Sequence, residues 1–242
     1  MVMKQDMTKM AETPQPSTMP VDRQAWQRQL HLSNFVNTYY QFRDVDQLPA
    51  CKRVLIIGPG QGLTPDVLKW RGYEVTTLDI DETFNPDFVG SVHELNMFSD
   101  GEFDAVIASH VLEHLAVPYL DLSLSELARV ARFALIYLPV SGRHLQVRLQ
   151  GPRSIDLSLI IDAFNPFAKP DGNRPDYMEG QHFWEVGLRG FRRRQLKQRM
   201  AKFFHVMSMY RNKDWNSSQN FVLRSKFNEG RQMASGMERH GG

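Results

Sequence analysis

Hydrophobic side chains follow two rhythms along this chain. Between Arg53 and Val140, strand-like runs dominated by apolar and β-branched residues read RVLIIG (53–58), YEVTTLDID (73–81), FDAVIAS (103–109) and FALIYLPV (133–140). They alternate with TPDVLKWRG (64–72) and YLDLSLSELARVAR (119–132), where apolar positions recur at helical spacing. Strands without a polar face are covered on both sides, and the alternation of strand and helix predicts a parallel sheet between helical layers. The expected class is α/β, doubly wound.

Flanking patterns set the domain limits. Residues 1–20 are rich in Met, Gln, Thr and Pro without periodicity and are expected to be a disordered tail, as are residues 229–242. The span 21–228 is expected to form a single domain. Within 21–50, Trp26, Leu30, Phe35, Tyr39 and Phe42 recur near helical spacing, which predicts cap helices packing an aromatic face onto the core. The segment 141–190 is long for a connection and reads as a substrate-side insertion, in which QVRLQ and IDLSLII form either a hairpin or short helices. FRRRQLKQRMAKFF (191–204) predicts a helix burying Leu196, Met200 and Phe203, with Arg192, Arg193, Lys197 and Lys202 outward. A solvated face is the favoured account of those cations, and a weak anionic contact the other.

Composition narrows the classes. The 242 residues carry a net charge of +2, too little to point to nucleic acid. The single cysteine, Cys51, excludes a disulfide framework and a cysteine-based metal cluster, and suits a reducing cytoplasm. No segment has the length and apolarity of a membrane span, so a cytoplasmic location is expected.

The chemistry begins where the first strand stops. Gly58, Gly60 and Gly62, with Pro59 and Gln61 between them, allow a backbone to approach a ligand at the carboxyl end of a strand. Thr64 and Pro65 are expected to open the next helix as N-cap and first residue. About 20 residues beyond Gly58 comes Asp79, the acid that accepts hydrogen bonds from both hydroxyls of a ribose. A nucleoside-containing cofactor is expected. The G-P-G-Q-G spacing departs from the G-x-G-x-x-G of dinucleotide sites, which disfavours an NAD-dependent oxidoreductase.

From Lys52 to Val140 the chain resembles the class I S-adenosylmethionine (SAM)-dependent methyltransferases, in the broad group of small-molecule and quinone-type methylases. VLIIGPGQG is similar to that family's glycine-rich cofactor loop, VTTLDID to its ribose-binding strand end, and GSVHELNMFSDGEFDAVIASHVLEHL to its third-strand loop, fourth strand and following helix. The resemblance implies SAM as cofactor and a mostly parallel seven-stranded Rossmann-like sheet, closed by an antiparallel hairpin from FFHVMSMYRN and SQNFVLRSK. It places Gly58, Pro59, Gly60, Gln61 and Gly62 at the methionine part and Asp79 with Ile80 at the ribose. Ser91 and Val92 fall at the adenine, and Ser109 and His110 near the reactive end. Many relatives carry Asp where Ser91 stands.

His110 to His114 also fits H-x-x-E-H, a zinc-hydrolase signature that needs both histidines on one face of a helix. The glycine loop and ribose acid upstream argue against it, and no metal is expected. The D/N/S-P-P-Y/F motif of DNA amino-methylases is missing after the fourth strand, where Ser109, His110 and Val111 stand, so DNA is not the expected substrate. The expected acceptor is an oxygen of a small metabolite, glycan or lipid precursor, with His110 or His182 as base. In GQHFWEVG (180–187), His182, Trp184 and Glu185 read either as a pocket wall for that acceptor or as an anchor to the core. A SAM-binding protein without catalysis remains the alternative.

Overall fold

The computed structural model describes residues 31–150, 156–163, 181–212, 214 and 217–227; for 143–150 and 156–163 this is the course of the backbone. The tails expected at 1–20 and 229–242, and Trp26 and Leu30, lie outside the described residues.

Five strands form the parallel part of a seven-stranded sheet: β1 (Arg53–Ile57), β2 (Glu74–Asp79), β3 (Phe88–Val89), β4 (Phe103–Ser109) and β5 (Ala131–Pro139). The separate hairpin strands β6 (Arg143–Gln150) and β7 (Asp156–Ala163) pair only with each other, which decides for the hairpin in the 141–190 segment. The last two strands, β8 (Phe204–Arg211) and β9 (Ser218–Ser225), close the main sheet as the antiparallel pair, giving the order β3-β2-β1-β4-β5-β9-β8. The order reverses between β1 and β4. That opens a crevice beyond their carboxyl ends, the position where such sheets bind ligands.

Successive residues of each central strand feed opposite cores, as the unbroken apolar runs require. Leu55, Ile57, Val106 and Ile136 pack with Leu120, Leu124 and Leu127 of α3 (Val117–Val130). Val54, Ile56, Ile107 and Leu135 pack with Leu68 of α2 (Leu63–Trp70) and with Tyr40 and Val45 of α1 (Leu32–Asp46).

Two helices depart from the sequence expectation. On α1, Phe35 and Tyr39 are 50% and 55% exposed, while Thr38, Gln41 and Asp44 are buried with Tyr40 and Val45. The helix therefore turns a partly polar face inward, because what it covers is the polar end of the sheet as well as its apolar flank. On α2, Gly62 is the N-cap, at φ +82°, and Leu63 opens the helix. Gly62 N–H donates to Pro59 O at 3.1 Å, and Asp66 N–H donates to Gly62 O, which places the cap two residues before Thr64. Thr64 and Pro65 thus sit inside the first turn, with the Thr64 hydroxyl 3.1 Å from that of Thr38.

The chain returns from the 141–180 segment along the end of β5. Val140 and Val186 form a parallel bridge, Val186 N–H donates to Pro139 O, and Phe183 N–H donates to Glu113 O at 2.8 Å. Trp184 is fully buried and stacks on Phe191 with ring centroids 4.8 Å apart. Next comes α4 (Arg193–Met200), burying Leu196 and Met200 as expected. Arg199 and Lys202 both pair with Asp121, at 2.8 and 2.9 Å, so part of the positive charge of this segment is neutralised within the fold. No helix among the described residues is long and apolar enough to cross a membrane.

Candidate cofactor and acceptor site

Two cavities open in the crevice beyond β1 and β4, and they meet at one wall. The first, about 240 Å³, is bounded by Gly58, Gly60, Asp79, Ile80, Phe84, Ser91, Val92 and His110, among others. The second, about 300 Å³, lies between the glycine loop and α1 and is bounded by Asn37, Thr38, Gln41, Pro59, Gln61, Thr64, Ser109 and Ser217, again with Gly58, Gly60 and His110. Gly58, Gly60 and His110 are the shared boundary.

Local structure explains why these residues converge. Gly58 N–H donates to Leu78 O at 2.8 Å, extending the β1–β2 ladder one residue past the strand before the chain turns at φ +64°. A Cβ at Gly58 would lie 2.7 Å from Val111 Cγ2, so the loop is packed against the turn after β4 as tightly as a bare backbone permits. That turn begins at His110, whose N–H still donates to Tyr137 O at 2.9 Å while φ is +55°. A non-glycine residue in this region is uncommon and frequent at functional sites. The residues that follow, Leu112–His114, form one 3₁₀ turn, not an α-helix. His110 and His114 therefore do not share a helical face, and the zinc-hydrolase arrangement is not formed.

At the far end of the first cavity, Gly90 N–H donates to Asp79 O and the Ser91 hydroxyl lies 2.7 Å from His93 Nδ1, while Val92 is buried beneath. Arg129 holds the next stretch, donating to the carbonyls of Leu95 and Phe98 and to Asp100 and Glu126 at 2.7–2.9 Å. The second cavity is polar. Gln41 Nε2 donates to Ser109 Oγ at 3.0 Å, and Asn220 Nδ2 donates to Asn212 Oδ1, whose Nδ2 donates to Asn37 Oδ1 at 3.0 Å. This chain orients the Asn37 amide so that its Nδ2 faces His110 Nε2 at 3.5 Å. On its other side His110 Nδ1 lies 3.5 Å from Glu113 Oε1. Nε2 is then the unprotonated nitrogen.

Residues 55–133 match the family described as a methyltransferase domain. Over these residues the chain carries a methyltransferase domain. Among solved structures, a SAM-dependent methyltransferase from Clostridium acetobutylicum aligns with a TM-score of 0.52 at 5% identity, over 82% of this chain and 94% of that one. The glycopeptide N-methyltransferase MtfA in complex with S-adenosylhomocysteine gives 0.51 at 13%, over 78% and 89%. A SAM-dependent methyltransferase from Archaeoglobus fulgidus gives 0.50 at 16%, over 79% and 94%. At such identities the likeness is one of fold. A search of curated proteins finds no match.

The methyltransferase domain's first cavity fits its cofactor in chemistry. The Gly58 and Gly60 backbone bounds it without side chains, and the Asp79 carboxylate on its wall is a group that would accept hydrogen bonds from the hydroxyls of a ribose. Phe84, five residues beyond Asp79, adds an apolar wall that the sequence reading missed. Gly62 lines neither cavity and serves as the cap of α2. Burial raises the Asp79 pKa and the Asp81 charge adds to this, while backbone N–H groups of Asp81 and Ile80 oppose it. A ribose donates to the ionised carboxylate, so cofactor affinity is expected to fall as pH drops into and below the raised Asp79 range. Calorimetric titration with S-adenosylhomocysteine at stepped pH checks this, and Asp79→Asn should flatten the dependence.

The structure does not bring His182, Trp184 and Glu185 to either cavity. All three are buried, and His182 Nδ1 lies 2.8 Å from Glu185 Oε1. Their placement is that of the anchor. Beside them the Glu113 side chain is completely buried, and among the described residues neither of its oxygens has a hydrogen-bond partner within normal geometry. Burial pushes its pKa up, but His110, with His114 and His182 beyond, more than offsets this and holds it below the usual carboxylate value.

Proposed function

We propose that the domain methylates an oxygen of a small polar acceptor, a metabolite or a glycan or lipid precursor, that enters the cavity under α1. The observation that carries this reading is the position of His110 on the boundary shared by the two cavities, with Nε2 toward the polar one. SAM, when bound, supplies a methyl group activated by its positive sulfur. What is left to the protein is to align the acceptor, exclude water and remove the acceptor's proton. Nε2 of His110 takes that proton, Glu113 opposite Nδ1 favours the imidazolium that forms, and Asn37 fixes the ring. Asn37, Gln41, Ser109 and Ser217 supply donors and acceptors suited to a hydroxylated acceptor. The 141–190 segment is read as the substrate-side insertion, because it returns at Gln181, beside His114 on the wall of the first cavity.

The test is turnover of labelled SAM over a panel of hydroxylated and amine acceptors, with wild type and His110→Asn. Asparagine tolerates the left-handed backbone at this position. The expected result is transfer to oxygen and a kcat about 100-fold lower in the variant, with S-adenosylhomocysteine affinity nearly unchanged. Transfer confined to amines, or full turnover without the imidazole, would sink the reading.

A further inference from the structure

Beneath the wall formed by His114 and Gln181, one donor atom each of Glu113, His114 and His182 lies within 4.8 Å of the other two. The three come from distant parts of the chain, the turn after β4 and the segment returning from residue 180, and the bond from Phe183 N–H to Glu113 O joins those parts. The two imidazole rings stand edge to face, with centroids 4.7 Å apart.

Hydrogen bonding fixes what each histidine offers. His114 Nδ1 lies 3.0 Å from the carbonyl of Gln181, which can only accept, so Nδ1 carries the proton and Nε2 the lone pair. His182 Nδ1 lies 2.8 Å from the Glu185 carboxylate, with the same consequence. Imidazoles tied at Nδ1 to a carbonyl and to a carboxylate have the outer partners usual for metal-ligating histidines. The buried Glu113 carboxylate, without a hydrogen bond to either oxygen among the described residues, supplies a second and independent observation. A charge held in the interior calls for a partner of high charge density or good geometry. The His110 ring, with Nδ1 at 3.5 Å, is a distant partner, and a dication between Glu113, His114 and His182 would be a stronger one.

We propose that Glu113, His114 and His182 form a binding site for a transition-metal dication of the zinc type, with Gln181 and Glu185 orienting the two imidazoles. Two imidazole nitrogens and one carboxylate oxygen suit zinc or its neighbours, whereas magnesium and calcium prefer oxygen throughout. To reach bonds of about 2.0–2.2 Å the donors draw together by about an ångström. One Glu113 oxygen suffices for the ion and the other remains toward His110. Three protein donors leave a coordination position of the kind that takes water or a substrate oxygen. This is not the H-x-x-E-H arrangement, since His182 replaces His110 as the second imidazole.

Cobalt(II) titrated into the untagged full chain reads the site directly. The expected result is a saturable set of visible absorption bands at one equivalent, displaced by zinc. Cobalt affinity should fall by 30-fold or more in Glu113→Gln and His182→Gln, and by about 10-fold in Glu185→Gln. Bound metal should also protect His114 and His182 of the wild type from diethyl pyrocarbonate, a readout that stands even where a variant fails to fold. Absence of saturable bands, unaltered affinity in a folded Glu113→Gln, or no protection would each overturn the site. S-adenosylhomocysteine binding, measured on the same samples, reports on the cofactor site separately.

Discussion

Gly58→Ala is expected to reduce S-adenosylhomocysteine affinity at least 100-fold while leaving the far-ultraviolet circular dichroism of the protein unchanged. Two effects act together. The backbone at φ +64° costs an alanine roughly 1–2 kcal/mol, and the new Cβ would stand 2.7 Å from Val111 Cγ2. Valine is stiff at its branched carbon, and Val111 cannot retreat freely because His110 is tied to Tyr137 and His114 N–H donates to Val111 O at 3.1 Å. The glycine loop has to move instead, and it bounds both cavities. Gly62→Ala is the informative control. Its φ is equally left-handed, at +82°, yet nothing lies within 4 Å of its Cβ, so the loss should be about tenfold or less. Val111→Ala in the Gly58→Ala background should recover part of the affinity. Calorimetric titration measures all four proteins, and near-normal binding by Gly58→Ala would show that the loop is not packed as described.

The convergence of the glycine loop and Asp79 on one cavity was legible because its signals are local. A strand apolar on both faces, a bare loop and an acid one strand later each occupy a few consecutive residues, and the structure assembles Gly58, Gly60, Asp79, Ser91 and His110 around one cavity. The closing hairpin of β8 and β9 was legible for the same reason. The cavity under α1 was not. Asn37, Gln41 and Ser217 reach it from opposite ends of the chain, and α1 was read by a rule that sends aromatic residues inward. In the fold Phe35 and Tyr39 face out, since that helix covers hydroxyls and amides as well as aliphatic side chains. GQHFWEVG could not be resolved from composition, because a pocket wall and a buried anchor use the same residues. What decides it is the packing of Trp184 on Phe191 and of His182 against His114.

The polar underside of α1 also bears on stability, and Asp44→Ala is expected to cost about 3 kcal/mol. Asp44 is 3% exposed and accepts hydrogen bonds from the hydroxyls of Tyr137, at 2.8 Å, and Tyr210, and from Arg43 Nη2 at 2.7 Å. Truncation takes from the fully buried Tyr137 hydroxyl its carboxylate acceptor and leaves it the Tyr40 carbonyl at 3.5 Å and the Tyr210 hydroxyl. Arg43, a third exposed and lying over the rings of Tyr40 and Tyr210, can turn to water, which keeps the loss at the lower end for a broken buried pair. Burial first and then Asp44 raise both tyrosine pKa values. The protonated hydroxyls therefore favour the fold, and their contribution is complete below the ordinary tyrosine pKa near 10 and declines as pH rises above it. Urea unfolding at pH 7 and at pH 10.5 measures both quantities. Wild type should lose stability between them, and Asp44→Ala should start lower and lose less. A loss under 1 kcal/mol at pH 7 would mean that α1 is held by Tyr40 and Val45 alone. In that case Asn37 and Gln41, two turns and one turn before Asp44, would owe their place beside His110 and Ser109 to apolar packing.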